Sequence, residues 1–392
     1  MGVSTSTLTD LVEDLPLAGY GQRAFFSNTG IADPVNAKAL VLDNGGNRVA
    51  IVTADILLFN RVLSSAVLAR LQEKDSSWTR QRVYFGATHT HSGPGGYAGA
   101  AAEQVSLGLF RPDVTERLAN RIAETVIRAA EEMHPSEFLS ASLEVDEKLV
   151  RNRTVATDPA NRWLDLLTFR EPGSRRTQAT VIVFSAHATS LPTSDRRISG
   201  DYPGTLTRAL ASQTGGVVLF LAGAVGSMAP PDALWPKETR TENLGKRLAE
   251  DAASLLRGRD EYRREVPLRA DGFLVSLPAP QVKLGKHLRL SPLAASMLLP
   301  PTAWLHALRI GDTLLLGTPC DYSGVLALEL RKKVPDTTAI VTSFNGDYVG
   351  YLLPDGYDDL PKYEPRSMSL FGRHAGSTFQ EKLVQVAERL AR

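Results

Sequence analysis

This chain of 392 residues contains few cysteines and few histidines, and its net charge is close to zero. Cys320 is the one cysteine, which excludes an intramolecular disulfide and any cysteine-rich metal cluster. The formal net charge is +1 and the basic residues form no block, so we expect no nucleic-acid partner. No apolar run is long enough to cross a bilayer, and the first residues lack a basic segment followed by an apolar core. These absences predict a cytoplasmic protein, or a secreted one if an export signal has been removed.

Short β-branched or aliphatic runs alternate with helical patterns along the chain, in a composition that is 43% hydrophobic and 22% charged. The runs predict buried strands at 39–42, 49–53, 83–87, 180–185, 217–221, 313–316 and 338–342. The periodic segments predict helices at 61–72, 114–133, 202–211, 239–256, 324–333 and 377–391. A capping box of Asp113 and Glu116 is expected to start the second helix. The alternation predicts an α/β fold, and the absence of a repeat or linker favours one domain over residues 1–392.

Polar or glycine-rich residues follow five of the predicted strands, in segments 88–91, 187–190, 223–228, 318–321 and 344–351. In α/β sheets, ligands bind at the carboxyl ends of strands. We therefore expect the active site to lie where these strand ends converge.

The most informative of these segments is Thr88-His-Thr-His-Ser-Gly-Pro-Gly-Gly96, which holds two of the seven histidines. Two histidines around a tight turn can converge, and neutral imidazole is both a common metal ligand and a proton shuttle. His89 and His187 with Asp321 offer two nitrogens and one oxygen, a donor set that suits a catalytic zinc ion. The alternatives are that the His89-Thr90-His91 pair is structural, that His187 is a core histidine, and that Asp321 caps the helix near 322.

The chain resembles the catalytic N-terminal domain of the neutral/alkaline non-lysosomal ceramidase family. The resemblance rests on motifs that run nearly end to end: segment 88–96, Asn152-Arg153-Thr154, His187-Ala-Thr-Ser190, Gly226-Ser-Met-Ala-Pro230, Pro319-Cys-Asp321, Gly350-Tyr351 and Tyr363-Glu364. The family hydrolyses the N-acyl amide of sphingolipids with a zinc ion. The resemblance therefore implies mixed β-sheets flanked by helices, with an active site at the carboxyl ends of the strands.

Carried over position by position, the resemblance implies one zinc ion held by His89, His187, Asp321 and Tyr351, with His91, Arg153 and Tyr363 as the catalytic residues. In this implied reaction the metal activates a water, His91 moves its proton to the leaving amine, and Arg153 or Tyr363 donates to the oxyanion. The implied substrate is a small acylated amine or a lipid-like molecule, and peripheral membrane contact is consistent with it. The oligomeric state is left open.

Three departures from the family pattern stand beside the resemblance. Ala229 occupies the position of a serine implicated in family catalysis, which leaves Ser227 as a weak substitute nucleophile. Asp321 replaces a glutamate, and the adjacent Cys320 is either an alternative ligand or, as we favour, a buried apolar residue. Full-length members carry an immunoglobulin-like C-terminal domain, which we expect to be absent after His374.

These departures keep three functions open. The leading prediction is a zinc-dependent amidase that cleaves an N-acyl bond with metal-activated water. The second is a related zinc enzyme that forms amides by acyl transfer or cleaves esters, and the third is a catalytically silent binding protein. The apolar, proline-punctuated segment 288–304 is either core, a lid or acyl-chain groove, or a contact with a membrane or second subunit. Asp55 and Asp165 are either turn and cap residues or partners that orient a ligand histidine.

Overall fold

The computed structural model describes residues 1–285 and 288–391 of the chain, and three four-stranded sheets dominate that part. In each sheet the strands follow one another in chain order, with two antiparallel pairings and then one parallel pairing. A helix connects the two parallel strands in every case, because parallel neighbours need a crossover connection. The same topology is therefore used three times, although the amino-acid sequence shows no repeat.

The strands of the three sheets have the following bounds. The first sheet contains β1 (Gly2–Thr7), β2 (Asn36–Asp43), β3 (Arg48–Ala54) and β4 (Val83–Ala87). The second contains β5 (Glu137–Glu144), β6 (Trp163–Arg170), β7 (Thr177–Phe184) and β8 (Val217–Ala222). The third contains β9 (Leu268–Ser276), β10 (Thr302–Ile310), β11 (Thr313–Gly317) and β12 (Thr338–Thr342). This architecture confirms the predicted α/β fold with mixed sheets flanked by helices.

The longer helices are α1 (Arg61–Lys74), α2 (Pro112–Glu131), α3 (Asp201–Thr214), α4 (Arg240–Leu256), α5 (Gly324–Lys333) and α6 (Ala375–Ala391). Each predicted helix is present with ends shifted by at most three residues. The predicted capping box of Asp113 and Glu116 is wrong, because Arg111 is the N-cap and Pro112 begins the helix. Proline suits this first position, since its missing N–H has no partner inside the helix anyway. None of the described helices combines the length and apolar composition needed to cross a membrane.

The predicted strands are all present, but β1, β5, β6, β9 and β10 were not predicted. Several of these strands are exposed along part of their length, so they lack the continuous apolar run used to find the buried strands. They add antiparallel neighbours to the predicted strands, and their pairing depends on sheet assembly rather than on local pattern.

The three sheets meet in a shared apolar core. Side chains from all three contribute to it, among them Ile51, Tyr84, Val181, Leu221, Leu315 and Ile340. Hydrogen bonds also join the sheets: Tyr84 bonds Thr342 through their hydroxyls at 2.6 Å, and Thr53 donates to the carbonyl oxygen of Phe220 at 2.6 Å. The helices pack against the outer faces of the sheets, and their contacts form two further clusters of buried apolar side chains. This arrangement brings the carboxyl ends of β4, β7, β11 and β12 towards one place.

Candidate metal centre and catalytic site

His89 occupies the turn directly after β4. Its backbone φ of +57° is left-handed, a conformation that costs a non-glycine residue about 1–3 kcal/mol. The Nδ1 atom lies 2.8 Å from the carbonyl oxygen of Leu57, so Nδ1 carries the proton and donates it. The imidazole also stacks on Phe344 with ring centroids 4.0 Å apart. These contacts hold the ring with an unprotonated Nε2 available to a ligand.

His187 follows β7 and is completely buried. Its Nδ1 lies 2.8 Å from the carbonyl oxygen of Val225 and 3.1 Å from that of Met228, both in the segment after β8. Carbonyl oxygens only accept hydrogen bonds, so Nδ1 is protonated and Nε2 is left as the acceptor. Backbone carbonyls thus orient both histidines in the way that outer partners orient metal-ligating imidazoles.

Asp55 and Asp165 do not hydrogen-bond His89 or His187, whose Nδ1 atoms bond backbone carbonyls. The prediction that these aspartates orient a ligand histidine is therefore wrong. Asp55 accepts a hydrogen bond from the backbone N–H of Asn36 at 2.8 Å. Asp165 accepts from Arg331, whose Nη1 lies 3.0 Å from both carboxylate oxygens.

Asp321 and Tyr351 are register partners in a short parallel pair formed by Asp321–Tyr322 and Tyr351–Leu352. Because paired strands lie about 4.8 Å apart, this pairing sets the two residues side by side. Both are buried, and the hydroxyl of Tyr348 donates to Asp321 Oδ2 at 2.8 Å. The cap reading of Asp321 is wrong, because Ser323 is the N-cap of α5.

The four predicted metal ligands meet in one place. Asp321 Oδ1 lies 3.5 Å from His89 Nε2 and 3.1 Å from His187 Nε2, which is itself 3.0 Å from the Tyr351 hydroxyl. Oδ1 is buried and accepts no hydrogen bond of normal geometry from the described residues. A buried carboxylate oxygen without a partner is costly, and a cation bound between it and the imidazole nitrogens removes that cost. These residues therefore fit a metal ion with nitrogen and oxygen ligands.

The electrostatic setting agrees with this fit. Burial lowers the pKa of His89 to about 3 and lowers the pKa of His187 well below its usual value. Burial raises the pKa of Asp321, against the opposing charge of His89 and the hydrogen bond from Tyr348. Both imidazoles are thus neutral, which is the form that binds metals.

His91 lies next to this set, with its Nε2 3.2 Å from His89 Nε2 and its ring centroid 4.8 Å from that of Tyr20. His89, His91 and His187 each offer a ligand atom, and these atoms lie within 4.8 Å of one another, which is sufficient to hold a metal ion. The geometry allows His91 either to bind the ion or to move a proton. Its catalytic role stays a prediction.

Arg153 and Tyr363 complete the predicted catalytic set. Arg153 Nη2 lies 3.1 Å from the Tyr351 hydroxyl and 3.3 Å from His187 Nε2. On its other side, Arg153 Nε lies 2.7 Å from Glu364 Oε1, in a largely buried ion pair. Tyr363 is 59% exposed and lies in the wall of the adjoining cavity. The structure thus places both residues at the site, while their roles stay predictions.

Ser227 has a structural environment that does not suit a nucleophile. Its hydroxyl lies 2.9 Å from that of Ser323 and accepts the backbone N–H of Gly324 at 3.1 Å, at the start of α5. Ala229 lies in the strand pair Met228–Ala229 with Arg151–Asn152. The carbonyl oxygen of Ser227 accepts the N–H of Arg153 at 2.8 Å, so this segment positions the arginine.

Cys320 matches the favoured reading as a buried residue. It is fully buried, and burial raises the pKa of its thiol well above the usual value. Cys320 belongs to the apolar cluster that includes side chains of α5 and α6, as expected of a packing residue.

Three residues that shape the site had no role assigned from sequence. Tyr348 bonds Asp321, Glu364 pairs with Arg153, and Phe344 stacks on His89. Tyr348 and Phe344 belong to the polar segment 344–351 after β12, so the strand-end pattern already contained them. Nothing in the sequence indicated which of that segment's side chains face inward.

A cavity of about 850 Å³ opens onto the candidate site. Its wall includes His89, His91, Arg153, Asp321, Tyr351 and Tyr363. Much of the remaining wall is apolar, with Leu57, Leu58, Val105, Leu107, Leu298, Leu299, Pro300, Met368 and Leu370. Segment 288–304 therefore contributes to the cavity through residues 298–300.

The family model described as neutral/alkaline non-lysosomal ceramidase, N-terminal, matches residues 1–219. A neutral ceramidase of Mycobacterium tuberculosis is 27% identical over 220 residues, which cover 52% of this chain and 34% of the relative. Neutral ceramidase 2 of Arabidopsis thaliana is 27% identical over 223 residues, which cover 53% of this chain and 29% of the relative. The matched part thus spans about a third of the length of these curated relatives.

Solved structures share the fold along the whole chain. The crystal structure of neutral ceramidase from Pseudomonas aeruginosa superposes with a TM-score of 0.88 at 19% identity, covering 100% of this chain and 74% of that one. A structure described as ceramidase complexed with C2 superposes with a TM-score of 0.86 at 18% identity, covering 99% of this chain and 74% of that one. The resemblance seen in the sequence motifs is confirmed.

Proposed function

Because the chain belongs to the neutral/alkaline non-lysosomal ceramidase family, we propose that it hydrolyses the N-acyl amide bond of an acylated amine. The observation that carries this proposal is the buried, unpaired Asp321 Oδ1 beside two oriented imidazoles at the end of a large, mostly apolar cavity. The reaction adds water across the C–N bond, so that the products are a carboxylic acid and a free amine.

We propose that the metal is one zinc ion held by His89, His187, Asp321 and Tyr351. Nitrogen and oxygen ligands of this kind, oriented by outer hydrogen bonds, suit zinc. When bound, zinc supplies a Lewis acid that makes an amide carbonyl or a water molecule more reactive.

The protein's own residues would then handle the proton and the developing charge. His91, whose Nδ1 is buried without a partner in the described residues, would take a proton from the attacking water and deliver it to the leaving nitrogen. Arg153 and Tyr363 would donate to the carbonyl oxygen as it gains negative charge. The ion pair with Glu364 would keep the Arg153 guanidinium turned towards the reacting carbonyl.

The apolar part of the cavity would bind the acyl chain. Val105 and Leu298 line the cavity but are 61% and 50% exposed, so the apolar wall continues to its mouth. Met297, which precedes Leu298, is 83% exposed, and Leu293 in the same segment 288–304 is 80% exposed. An apolar rim of this kind suits a lipid-like substrate and peripheral contact with a lipid surface.

The membrane contact is tested by sedimentation with phosphatidylcholine vesicles. We expect the protein to sediment with the vesicles, and Met297→Glu to reduce the bound fraction. Val62→Glu changes an exposed valine that does not line the cavity, and it serves as the control. Equal sedimentation of all three proteins, or none at all, contradicts membrane contact at this rim.

The hydrolase proposal is tested with zinc-loaded protein and a series of N-acyl amines. Release of free amine that stops on chelation and returns with zinc supports it. Amide formation from acid and amine without net hydrolysis would favour an acyltransferase. Bound metal with no turnover on any acyl donor would favour a binding protein.

A further inference from the structure

Glu103 places a carboxylate in the wall of the cavity that His89 and His91 also line. It directly precedes the short helix Gln104–Leu107, and apolar residues such as Leu57 and Leu58 line the same cavity. Within residues 1–285 and 288–391, Glu103 forms no ion pair with a positively charged side chain, and its side-chain partner is the neutral Asn60. The hydrolytic roles proposed above make no use of it.

Asn60 holds this carboxylate in place. The Asn60 side chain is fully buried, and its Oδ1 accepts the backbone N–H of Leu63 at 2.9 Å as the N-cap of α1. Its Nδ2 donates to the carbonyl oxygen of Tyr97 at 3.2 Å and to Glu103 Oε2 at 2.8 Å. Because both ends of the amide are occupied, its orientation is determined, and Glu103 is fixed against a helix terminus.

Hydrogen bonds stabilise the Glu103 carboxylate, but no positively charged side chain of the described residues forms an ion pair with it. Burial is the main cause that raises the pKa of Glu103, and the nearby carboxylate of Asp347 acts in the same direction. The hydrogen bond from Asn60 and backbone hydrogen bonds of Gly99 and Ala100 act in the opposite direction and lower the pKa. Asp347 already pairs with Arg61 at 2.6 Å, so the positive charge in this area is engaged elsewhere. A ligand that brings a hydrogen-bond donor or a positive charge would remove the cost.

We propose that Glu103 determines specificity by binding an ammonium or hydroxyl group of the substrate and by disfavouring an anionic group. The acyl chain is apolar, so the donor belongs to the amine portion. The substrate class is therefore an N-acyl amine whose amine portion carries an ammonium or a hydroxyl. This inference rests on the proposed function for the reaction, but its test reads ligand binding directly.

Four dodecanoyl amides test the inference: those of propylamine, aminopropanol, diaminopropane and beta-alanine, which end in methyl, hydroxyl, ammonium and carboxylate. Ketone analogues of the four amides, in which a methylene replaces the amide nitrogen, resist hydrolysis. Their affinities for the zinc-loaded protein are measured by calorimetry. We expect the ammonium and hydroxyl ligands to bind more tightly than the methyl ligand, and the carboxylate ligand most weakly. Glu103→Gln should weaken the ammonium ligand about tenfold and leave the methyl ligand within about twofold.

Glu124→Gln makes the same chemical change at an exposed site outside the cavity and should alter none of the four affinities. The inference is overturned if wild-type protein binds all four ligands equally or binds none. It is also overturned if Glu103→Gln weakens all four alike, since that is the result of a structural role. Selective binding without hydrolysis of any amide would contradict the proposed function and leave this inference standing.

Discussion

Asp321 Oδ1 lies 3.1 Å from His187 Nε2, with both side chains buried. Both atoms are natural acceptors, because His187 Nδ1 already donates to backbone carbonyls. Two acceptors this close in the interior are stabilised by a cation between them. The contact therefore makes metal content the first quantity to measure.

Asp321→Asn removes the charge with little change in side-chain volume. We expect zinc affinity to fall by more than about tenfold, the effect of losing even an outer partner of a metal ligand. Zinc content measured by mass spectrometry after dialysis at limiting zinc gives the result. Cys320→Ser is the control at the neighbouring position and should keep full zinc. Normal zinc in Asp321→Asn would show that the carboxylate is not a ligand, and loss of zinc in Cys320→Ser would make the thiol a ligand.

His91→Asn separates proton transfer from metal binding. If His91 moves protons, kcat should fall by about a hundredfold to ten-thousandfold while zinc content stays at the wild-type level. Parallel measurement of kcat and bound zinc decides this. Loss of the metal together with activity would instead make His91 a ligand, which the three-histidine geometry also permits.

Tyr363→Phe removes one hydroxyl from the cavity wall and keeps the ring. A donor that acts on the developing oxyanion should contribute mainly in the transition state, so kcat should fall by about a hundredfold or more with KM nearly unchanged. Tyr262→Phe makes the same change outside the cavity and should have no effect. A rise in KM at constant kcat would assign Tyr363 to substrate binding alone.

Leu298→Gln tests the acyl-chain wall. Leu298 lines the cavity, so a polar side chain there should raise KM for long-chain substrates and leave short-chain substrates unchanged. Leu284, which is 53% exposed and does not line the cavity, offers the matched variant Leu284→Gln. Kinetics on N-acyl amines of increasing acyl length give the comparison. An equal effect on short and long chains would argue against an acyl groove here.

Arg331→Met tests a buried ion pair away from the site. Arg331 bonds both oxygens of Asp165 and lies 4.1 Å above the Trp163 ring, so its loss leaves a buried, unpaired carboxylate. We expect the free energy of unfolding to fall by about 3–5 kcal/mol in urea titrations. Arg117→Met removes an exposed ion pair with Asp113 and should change the free energy of unfolding by less than about 1 kcal/mol. Equal losses in the two variants would contradict the assigned importance of burial.

Sequence patterns identified the elements that are regular over a local stretch. Strands β4 and β12 and helix α5 have the bounds that their patterns predicted, because apolar periodicity is a local property. The half-exposed strand β5 was not predicted, because its pairing with β6 depends on the assembled sheet. The cytoplasmic location and the single domain over residues 1–392 stay predictions.

The amino-acid sequence by itself determined the family, the strand ends that carry the site, and the side chains that meet there. These follow from residue identity and short-range order. Only the tertiary structure decided that backbone carbonyls orient His89 and His187, and that Asp165 pairs with Arg331. It also placed Glu103 in the cavity. Such contacts join segments far apart in the chain, so they depend on how three sheets pack, which no local pattern encodes.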